Sequence, residues 1–390
     1  MSACVKSAAV AAALALWPVA GIGADLPRAT QKALADLKLD AGILDGLDAE
    51  LKVPQAWVDG ARKEGEAVVL GTWDNPDFDT MTAAFRERYP FVKLRYSRSG
   101  TTARGMRVLI ALREGRVLAD VTTSIADATF HFEKAKALAD LRELPGYANV
   151  GRDFRADDGT WAAFKLSYRC MGYNKTLVKA ADLPRTWDDL LTNPRWRGGN
   201  VALSNHPNAW LLNLWGGKGE TWGEDFTRRL FDVLQPQKRK EGMSALTALT
   251  VAGEFHANIP APEWRAQNLA EKGAPIGYHC PEPIPITLSQ IVMLEKSPRK
   301  NAARMFINWM LSREGQLIQY AETSAVPVHK ALQLPRFLPF PDTMLGKPVQ
   351  VRNDALLESD LHRNMARAWE RQWGPSGGQK KGKKKKTSSE

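Results

Sequence analysis

Short apolar runs alternate along this chain with runs apolar on one side only, as strands feeding amphipathic helices would require. Ala67-Val68-Val69-Leu70 is the first apolar run, and it ends in Gly71-Thr72-Trp73-Asp74-Asn75-Pro76. Phe78, Met81 and Phe85 then fall at i, i+3 and i+7, one face of a helix. Val92, Leu94 and Tyr96 alternate with Lys93, Arg95 and Ser97, which predicts a strand with one wetter face. Ser99-Gly100-Thr101-Thr102 leads into a helix carrying Met106, Leu109, Ile110 and Leu112 that Gly115 ends. Asp120 to Ser124 reads as a third strand, and a helix is expected from Asp127 to Leu141. This order predicts a parallel sheet with helices on both faces.

A longer apolar and aromatic strand, Ala163 to Tyr173, closes on Asn174-Lys175. A short helix with Leu177, Val178 and Ala181 follows, and Thr186 then caps a second helix. Asp188 and Asp189 suit the positive end of its dipole. Pro194 stops that helix, and Gly198-Gly199 turn the chain into a strand from Asn200 to Ser204. Beyond Asn205-His206-Pro207-Asn208 lie a Leu- and Trp-rich helix ended by Gly216-Gly217, and helices marked by Phe226, Leu230 and Val233 and by Leu246, Leu249 and Thr250. Gly253 to Ile259 is a further strand, and Ala303, Phe306, Ile307 and Met310 outline an amphipathic helix.

Length and charge add to this picture. A chain of 390 residues exceeds one ordinary core, so two domains are expected. Lys6, the apolar run Ala8 to Ala20 and the small pair Gly23-Ala24 form a secretory signal over residues 1–24, cleaved near Ala24. No later stretch is apolar enough to span a bilayer. The net charge is +11, but the tail Gly374–Glu390 holds six lysines and one glutamate, so about +5 sits in a segment that cannot build a core. The folded part is only mildly basic, and no nucleic-acid partner is expected of an exported protein.

Two segments carry a family resemblance. The first is a strand ending Tyr173-Asn174-Lys175, then Leu183-Pro184-Arg185-Thr186-Trp187-Asp188-Asp189-Leu190, then Asn193-Pro194-Arg195-Trp196 and a strand. The second runs from Gly273-Ala274-Pro275 through the turn Cys280-Pro281-Glu282-Pro283 to a helix ending Ser312-Arg313-Glu314-Gly315-Gln316. Together they resemble the periplasmic solute-binding proteins of ABC uptake transporters, nearest the ferric-iron-binding branch. The resemblance implies an α/β, two-lobe periplasmic-binding-protein fold of type II. Each lobe would be a mixed sheet flanked by helices, and a two-strand hinge would join them. The expected parts are a helical extension over 25–58, lobe 1 over 59–168 and 279–373, lobe 2 over 169–278, and a disordered tail over 374–390. It also implies a monomer in the periplasm that passes its solute to permease subunits in the inner membrane, with no cofactor. Cys170 and Cys280 are the two cysteines left after export, and both fall at the lobe crossing. Either a disulfide or two buried thiols fits.

In an open α/β sheet, ligands bind where strand ends lead into helix N-termini. The candidate ligand residues are therefore Trp73, Asp74, Asn75, Ser99, Gly100, Thr101, Thr102, Ser124, Tyr168, Asn205, His206 and Glu282. Each hydroxyl or amide among them also fits an ordinary helix cap. Ferric receptors of the family commonly use an adjacent Tyr-Tyr pair, but this chain has Asn258-Ile259-Pro260-Ala261-Pro262-Glu263-Trp264 there. Tyr168, Tyr278, His206 and Glu282, with His279, remain as weaker donors. The expected solute is ferric iron, an iron complex, or a small organic or phosphonate-type anion. Paired acids at Asp188-Asp189 and Glu224-Asp225 sit near helix starts, and no hydrolase, zinc-protease or P-loop motif is present, so a receptor is expected rather than an enzyme reusing the fold.

Overall fold

The computed structural model describes residues 26–100, 104–125, 128–351 and 354–374. The signal-like segment, Thr101, Thr102, Asp127 and the lysine tail lie outside them. One strand is long enough to serve two halves of the molecule: β4, Ala162–Asn174. Its first half pairs antiparallel with β9 (Ile284–Met293), from Ala162 opposite Ile291 to Tyr168 opposite Ile286. From Arg169 onward its partners are β7 (Ala257–Pro262) and β8 (Ile276–His279).

The remaining strands extend the two halves. On the β9 side lie β3 (Val121–Thr123), β1 (Glu66–Gly71) and β2 (Lys93–Arg98), with β1 parallel to both β2 and β3. On the β7 side lie β5 (Val201–Ser204) and β6 (Gln237–Arg239), both in parallel register. The order is β2-β1-β3-β9-β4-β7-β5-β6, with β8 added to β4 and β10 (Val349–Val351) to β9. Each half is thus a mixed sheet, and β4 with the β8–β9 return forms the hinge.

Side-chain alternation separates the two faces of this sheet. Phe164, Leu166, Tyr168 and Cys170 of β4 enter a large apolar cluster with Ile284, Ile286 and Leu288 of β9 and with helix Lys300–Leu311. Ala303, Phe306, Ile307 and Met310 of that helix are all buried, as their spacing predicts. Other cores cover the sheet elsewhere. Val108, Leu109, Ile125 and Phe132 pack with Val292 and Leu294 in the first half. Trp187, Trp196, Trp210, Trp215 and Phe226 centre the second. The N-terminal helices Arg28–Asp36 and Gln55–Glu64 lie on the first half, against helices Arg313–Thr323 and Lys300–Leu311.

Four expectations are corrected. The chain folds back on the first lobe only as far as β10; the end of it does not, because Leu357, Met365, Ala368 and Trp369 are apolar and bury themselves among the tryptophans of the second. The helix expected over 127–141 covers only Thr129–Lys134, since Lys136 takes a left-handed conformation and Leu138 bridges to Leu294. Leu177–Ala181 forms turns and a 3-10 turn, Ala180–Asp182, rather than a helix. The Gly216-Gly217 pair lies inside helix Leu211–Lys218 instead of ending it. Thr186 does cap the next helix: its Oγ1 accepts from Asp189 N (3.2 Å) while its N–H donates to Asp189 Oδ2 (2.8 Å), a reciprocal capping box, yet that helix is a single turn, Asp189–Thr192.

Candidate binding site at the lobe junction

The face of β4 opposite the large core carries Lys165, Ser167 and Arg169, every second residue. Across the ladder, Ser289 of β9 stands beside Lys165 and Thr287 beside Ser167. Apolar clusters cover this face of the sheet to either side, but none of these residues belongs to one. A polar band is therefore left between two cores, and it forms the floor of the candidate site. Ser167, Thr287 and Ser289 are buried, so this is not an ordinary solvated surface.

Arg104 builds the rim on the first lobe. Its guanidinium donates to the carbonyls of Thr123 (2.9 Å) and Ser124 (3.1 Å), and to that of Ser99. It thereby joins the ends of β2 and β3 and fixes both loops. Ser124 has φ of 51°, a left-handed conformation costing about 1 kcal/mol or more, and its N–H donates to Gln290 O at 2.7 Å. The second lobe brings His206, whose Nδ1 lies 3.3 Å from Ser204 Oγ, and Glu263, whose Oε2 lies 3.4 Å from Arg169.

Hydrogen-bond accounting shows what the site lacks. The hydroxyls of Thr123, Ser124 and Ser167 and Oε1 of Glu263 have no partner among the described residues. The Lys165 ammonium makes no hydrogen bond or ion pair among the described residues; it lies 5.7 Å from the Phe164 ring centroid. Burial pulls Lys165 down to about 8; Glu263 opposes the shift, and Arg169 and Arg104 add to it. Burial pushes the Glu263 carboxyl up, against Arg169 and Lys165. Burial and Arg169 lower His206, so it is neutral at neutral pH. Two cations, Arg169 and Lys165, thus act on one carboxylate that is itself disfavoured, and Arg104 acts on Lys165. Unpaired donors and cations at a buried floor are costly unless something fills them.

The groups facing Lys165 are Arg104, Arg169, Glu263 and His206, and Lys165 itself is drawn down to about 8, into the mildly alkaline range. Anion affinity should therefore be nearly flat up to about pH 8 and decline above it as the ammonium deprotonates. Calorimetric titration with a bound anion from about pH 6 to about pH 10 checks this; undiminished affinity at the alkaline end would exclude Lys165.

The sequence-derived candidates divide. Ser124 and His206 reach the polar band, and Ser99 contributes its carbonyl to Arg104. Gly100 is exposed beside it. Trp73 is a correction: it is buried against Phe78, Tyr96 and Phe164 in the core instead of walling a cleft. Asp74 pairs with Arg98 at 2.7 Å on the surface, and Asn75 opens helix Asn75–Met81 in solvent. Asn205 is occupied too, its Oδ1 accepting from Trp369 Nε1 at 2.7 Å. Glu282 is partly buried at the hinge turn, where its N–H donates to Arg185 O.

The tyrosines are likewise corrected as metal donors. Tyr168 lies on the core face of β4, and burial, with Glu263 nearby, raises its phenol well above the usual range. Tyr278 Oη accepts from Cys170 N (3.1 Å) and faces the carbonyls of Tyr168 and Ala261 (both 3.0 Å), so it serves the fold. His279 Nε2 lies 2.6 Å from Pro184 O. Among the described residues no three His, Cys, Asp or Glu side chains group as a metal site. Cys170 and Cys280 are bonded, with Cα atoms 4.9 Å apart, and the bridge fastens β4 to the end of β8 at the hinge.

Sequence reasoning missed Arg104, Lys165, Ser167, Arg169 and Glu263. The period-two alternation of Phe164-Lys165-Leu166-Ser167-Tyr168-Arg169 is the signal that could have found three of them.

Residues 118–339, more than half of the chain, match the bacterial extracellular solute-binding protein family. The chain belongs to that family. This solute-binding protein thus belongs to a family of binding proteins rather than enzymes. Its fold is shared by iron-bound HitA from Pseudomonas aeruginosa (20% identity, TM-score 0.63, covering 79% of this chain and 99% of that one). It is shared by Trichodesmium FutA with iron and citrate (17%, 0.64, 80% and 99%). AfuA from Actinobacillus pleuropneumoniae with fructose-6-phosphate is similar to the same degree (17%, 0.63, 79% and 98%). No significant match was found among curated proteins. No helix among the described residues is long and apolar enough to cross a membrane.

Proposed function

We propose that this receptor captures a small metal-free oxyanion, a phosphoryl- or carboxylate-bearing solute, on the polar band between its lobes. The observation that carries the proposal is the Lys165 ammonium, without a hydrogen bond and within the field of Arg169 and Arg104, together with the unpartnered hydroxyls of Thr123, Ser124 and Ser167 on or at the end of strands flanking β9. Such a set supplies charge-assisted donors to a tetrahedral or planar oxyanion. Ferric iron asks for anionic oxygen ligands instead, and both candidate phenols are engaged in the core. Of the ligands held by proteins of similar fold, a sugar phosphate matches this chemistry better than bare iron does.

Closure of the hinge would bring the second lobe onto an anion resting on the first, and binding shifts the open–closed equilibrium by that differential contact. Export with cleavage near Ala24, a monomer in the periplasm, a permease in the inner membrane and lobe limits at about 168/169 and 278/279 belong to the same proposal. The partner change of β4 between Tyr168 and Arg169 supports those limits.

Thermal-shift titration tests the ligand class, using phosphate, phosphomonoesters, phosphonates, di- and tricarboxylates, ferric citrate and ferric chloride as probes. A specific anion at a hundred times its Kd should stabilise the protein by about 2.7 kcal/mol, quench or enhance tryptophan fluorescence, and be recovered unchanged. Stabilisation by ferric ion alone would contradict the proposal, and consumption of the anion would point to an enzyme.

A further inference from the structure

We propose, on the basis of the oxyanion reading above, that Glu263 selects the solute: together with Arg169 it reads a hydroxyl set beside the oxyanion. The ligand is then a hydroxylated phosphoryl or carboxylate compound rather than a bare anion.

The acidic residues buried among the described residues are Glu50, Asp120, Glu263 and Glu314. All but Glu263 are well supplied with donors. Glu314 accepts from Thr30 Oγ1 (2.6 Å), from Arg88 Nε and Nη2 (2.6 and 2.8 Å) and from Trp309 Nε1 (2.9 Å). Asp120 accepts from Val68 N, Ser297 Oγ and Arg299 Nε, each at 2.7 Å. Glu50 accepts from Arg313 N (2.9 Å) and Arg313 Nε (2.6 Å). These are the lengths of well-made charge-assisted bonds, and the three carboxylates fasten the first lobe.

Glu263 differs from them. Its Oε2 lies 3.4 Å from Arg169 Nη1, beyond that range, and its Oε1 has no hydrogen-bond partner among the described residues. Arg169 is equally underused: a guanidinium carries five donors, and its other hydrogen bond, to Tyr168 O, is also 3.4 Å long. A buried acid that served only the fold would be costly in this condition. An acid that opens a helix normally lies in solvent, where the dipole favours it. Glu263 is the first residue of helix Glu263–Glu271, yet it is fully buried.

The strands set its position. Arg169 stands opposite Pro262 in the pairing of β4 with β7, so the next residue emerges beside Arg169. The ladder shifts register just beyond, between Cys170 and Gly172, as strands often do next to a site. Arg169 and Lys165 both act on the Glu263 carboxyl. An acceptor is thus planted among the cations of the polar band, where a receptor for a bare anion gains nothing from it.

Hydrogen-bond chemistry decides what that acceptor takes. A hydroxyl both donates and accepts, so it suits the carboxyl in either protonation state. An ionised oxygen has no hydrogen to give, and an ionised carboxylate repels it. Because the two side chains are adjacent, Arg169 can hold an oxygen of the anion while Glu263 takes the hydrogen of a nearby hydroxyl. A deoxy analogue leaves the buried oxygen unpaired, which is how a site discriminates most sharply.

Calorimetric titration of the full chain with matched probes tests this: glycerol 3-phosphate against propyl phosphate, and malate against succinate. The hydroxylated member of at least one pair should bind about ten- to a hundredfold more tightly, the worth of one hydrogen bond to a charged group. Glu263→Met, similar in length but without an acceptor, should bind both members of that pair alike, with a melting curve showing that it folds. The comparison within the parent needs no variant. Equal affinities within every pair that binds, or a preference that survives in Glu263→Met, would overturn the role of Glu263 and leave the oxyanion reading standing. Binding of neither member of either pair would overturn both.

Discussion

Replacing Lys165 with methionine is expected to weaken binding of the solute anion by about ten- to a hundredfold, the worth of one charge-assisted hydrogen bond of about 1.5–3 kcal/mol. The same substitution should raise the melting temperature of the empty protein. These opposite signs follow from one fact: the ammonium has no partner until a ligand supplies it. A cation without a hydrogen bond, buried and repelled by Arg169 and Arg104 more than Glu263 offsets, destabilises the fold, and methionine keeps the length of the stem without the charge.

The pH dependence of stability has a definite direction as well. A lysine drawn down to about 8 releases its proton earlier in the folded state than in the unfolded chain. Its contribution to stability is then present above the unfolded pKa and is lost as pH falls through about 8. The advantage of Lys165→Met over the parent should accordingly shrink as pH rises across that interval. Calorimetric binding and melting curves on the two proteins check both signs. Unchanged affinity would remove Lys165 from the site, whatever the melting curves show.

Removing the Cys170–Cys280 bridge should give the second large effect, a loss of about 2–4 kcal/mol in stability. The two residues are separated by 110 positions, and the enclosed chain is nearly the whole second lobe. Cross-linking so long a loop removes much entropy from the unfolded chain. In the folded protein the bridge joins β4 to the end of β8 where both leave the lobe, so its loss should also loosen the hinge. Chemical denaturation of Cys170→Ala/Cys280→Ala against the parent measures the first effect, and thiol counting complements it. Residues 25–390 should show no free thiol before denaturing reduction and two after it. Equal stabilities would mean that the bridge is incidental to the fold.

Much of the fold is legible in the chain because its signals are periodic. Ala67–Leu70, the alternating Val92–Ser97 and the helix around Phe306 all form the elements their patterns predict. Boundaries fail where a tertiary contact outweighs local preference. Gly216-Gly217 reads as a stop but remains helical against Leu356 and Gln350, the helix ending at Lys218, and Leu138 leaves its helix to pair with Leu294. The last helix goes to the second lobe for the same reason. Its Trp369 and Met365 mark an apolar face, but nothing in the sequence says which lobe offers the complementary surface.

The site is harder to read than the fold. Strand-end loops are conspicuous because hydroxyls and amides gather before helices, and Ser124 and His206 stand out that way. The floor is hidden in the middle of a strand, where Lys165 and Arg169 look like interruptions in an apolar run. Glu263 gives no local signal at all; it is brought to Arg169 by the pairing of β7 with β4. Trp73 shows the converse error, a large side chain at a strand end that turns inward and packs on three aromatic rings.

Native mass measurement of freshly purified protein, with elemental analysis of the same sample, bears most directly on an oxyanion held between the lobes. The expected result is added mass from one small metal-free anion, released on denaturation and absent from Lys165→Met. One iron per chain with a visible charge-transfer band, retained in Lys165→Met, would contradict it.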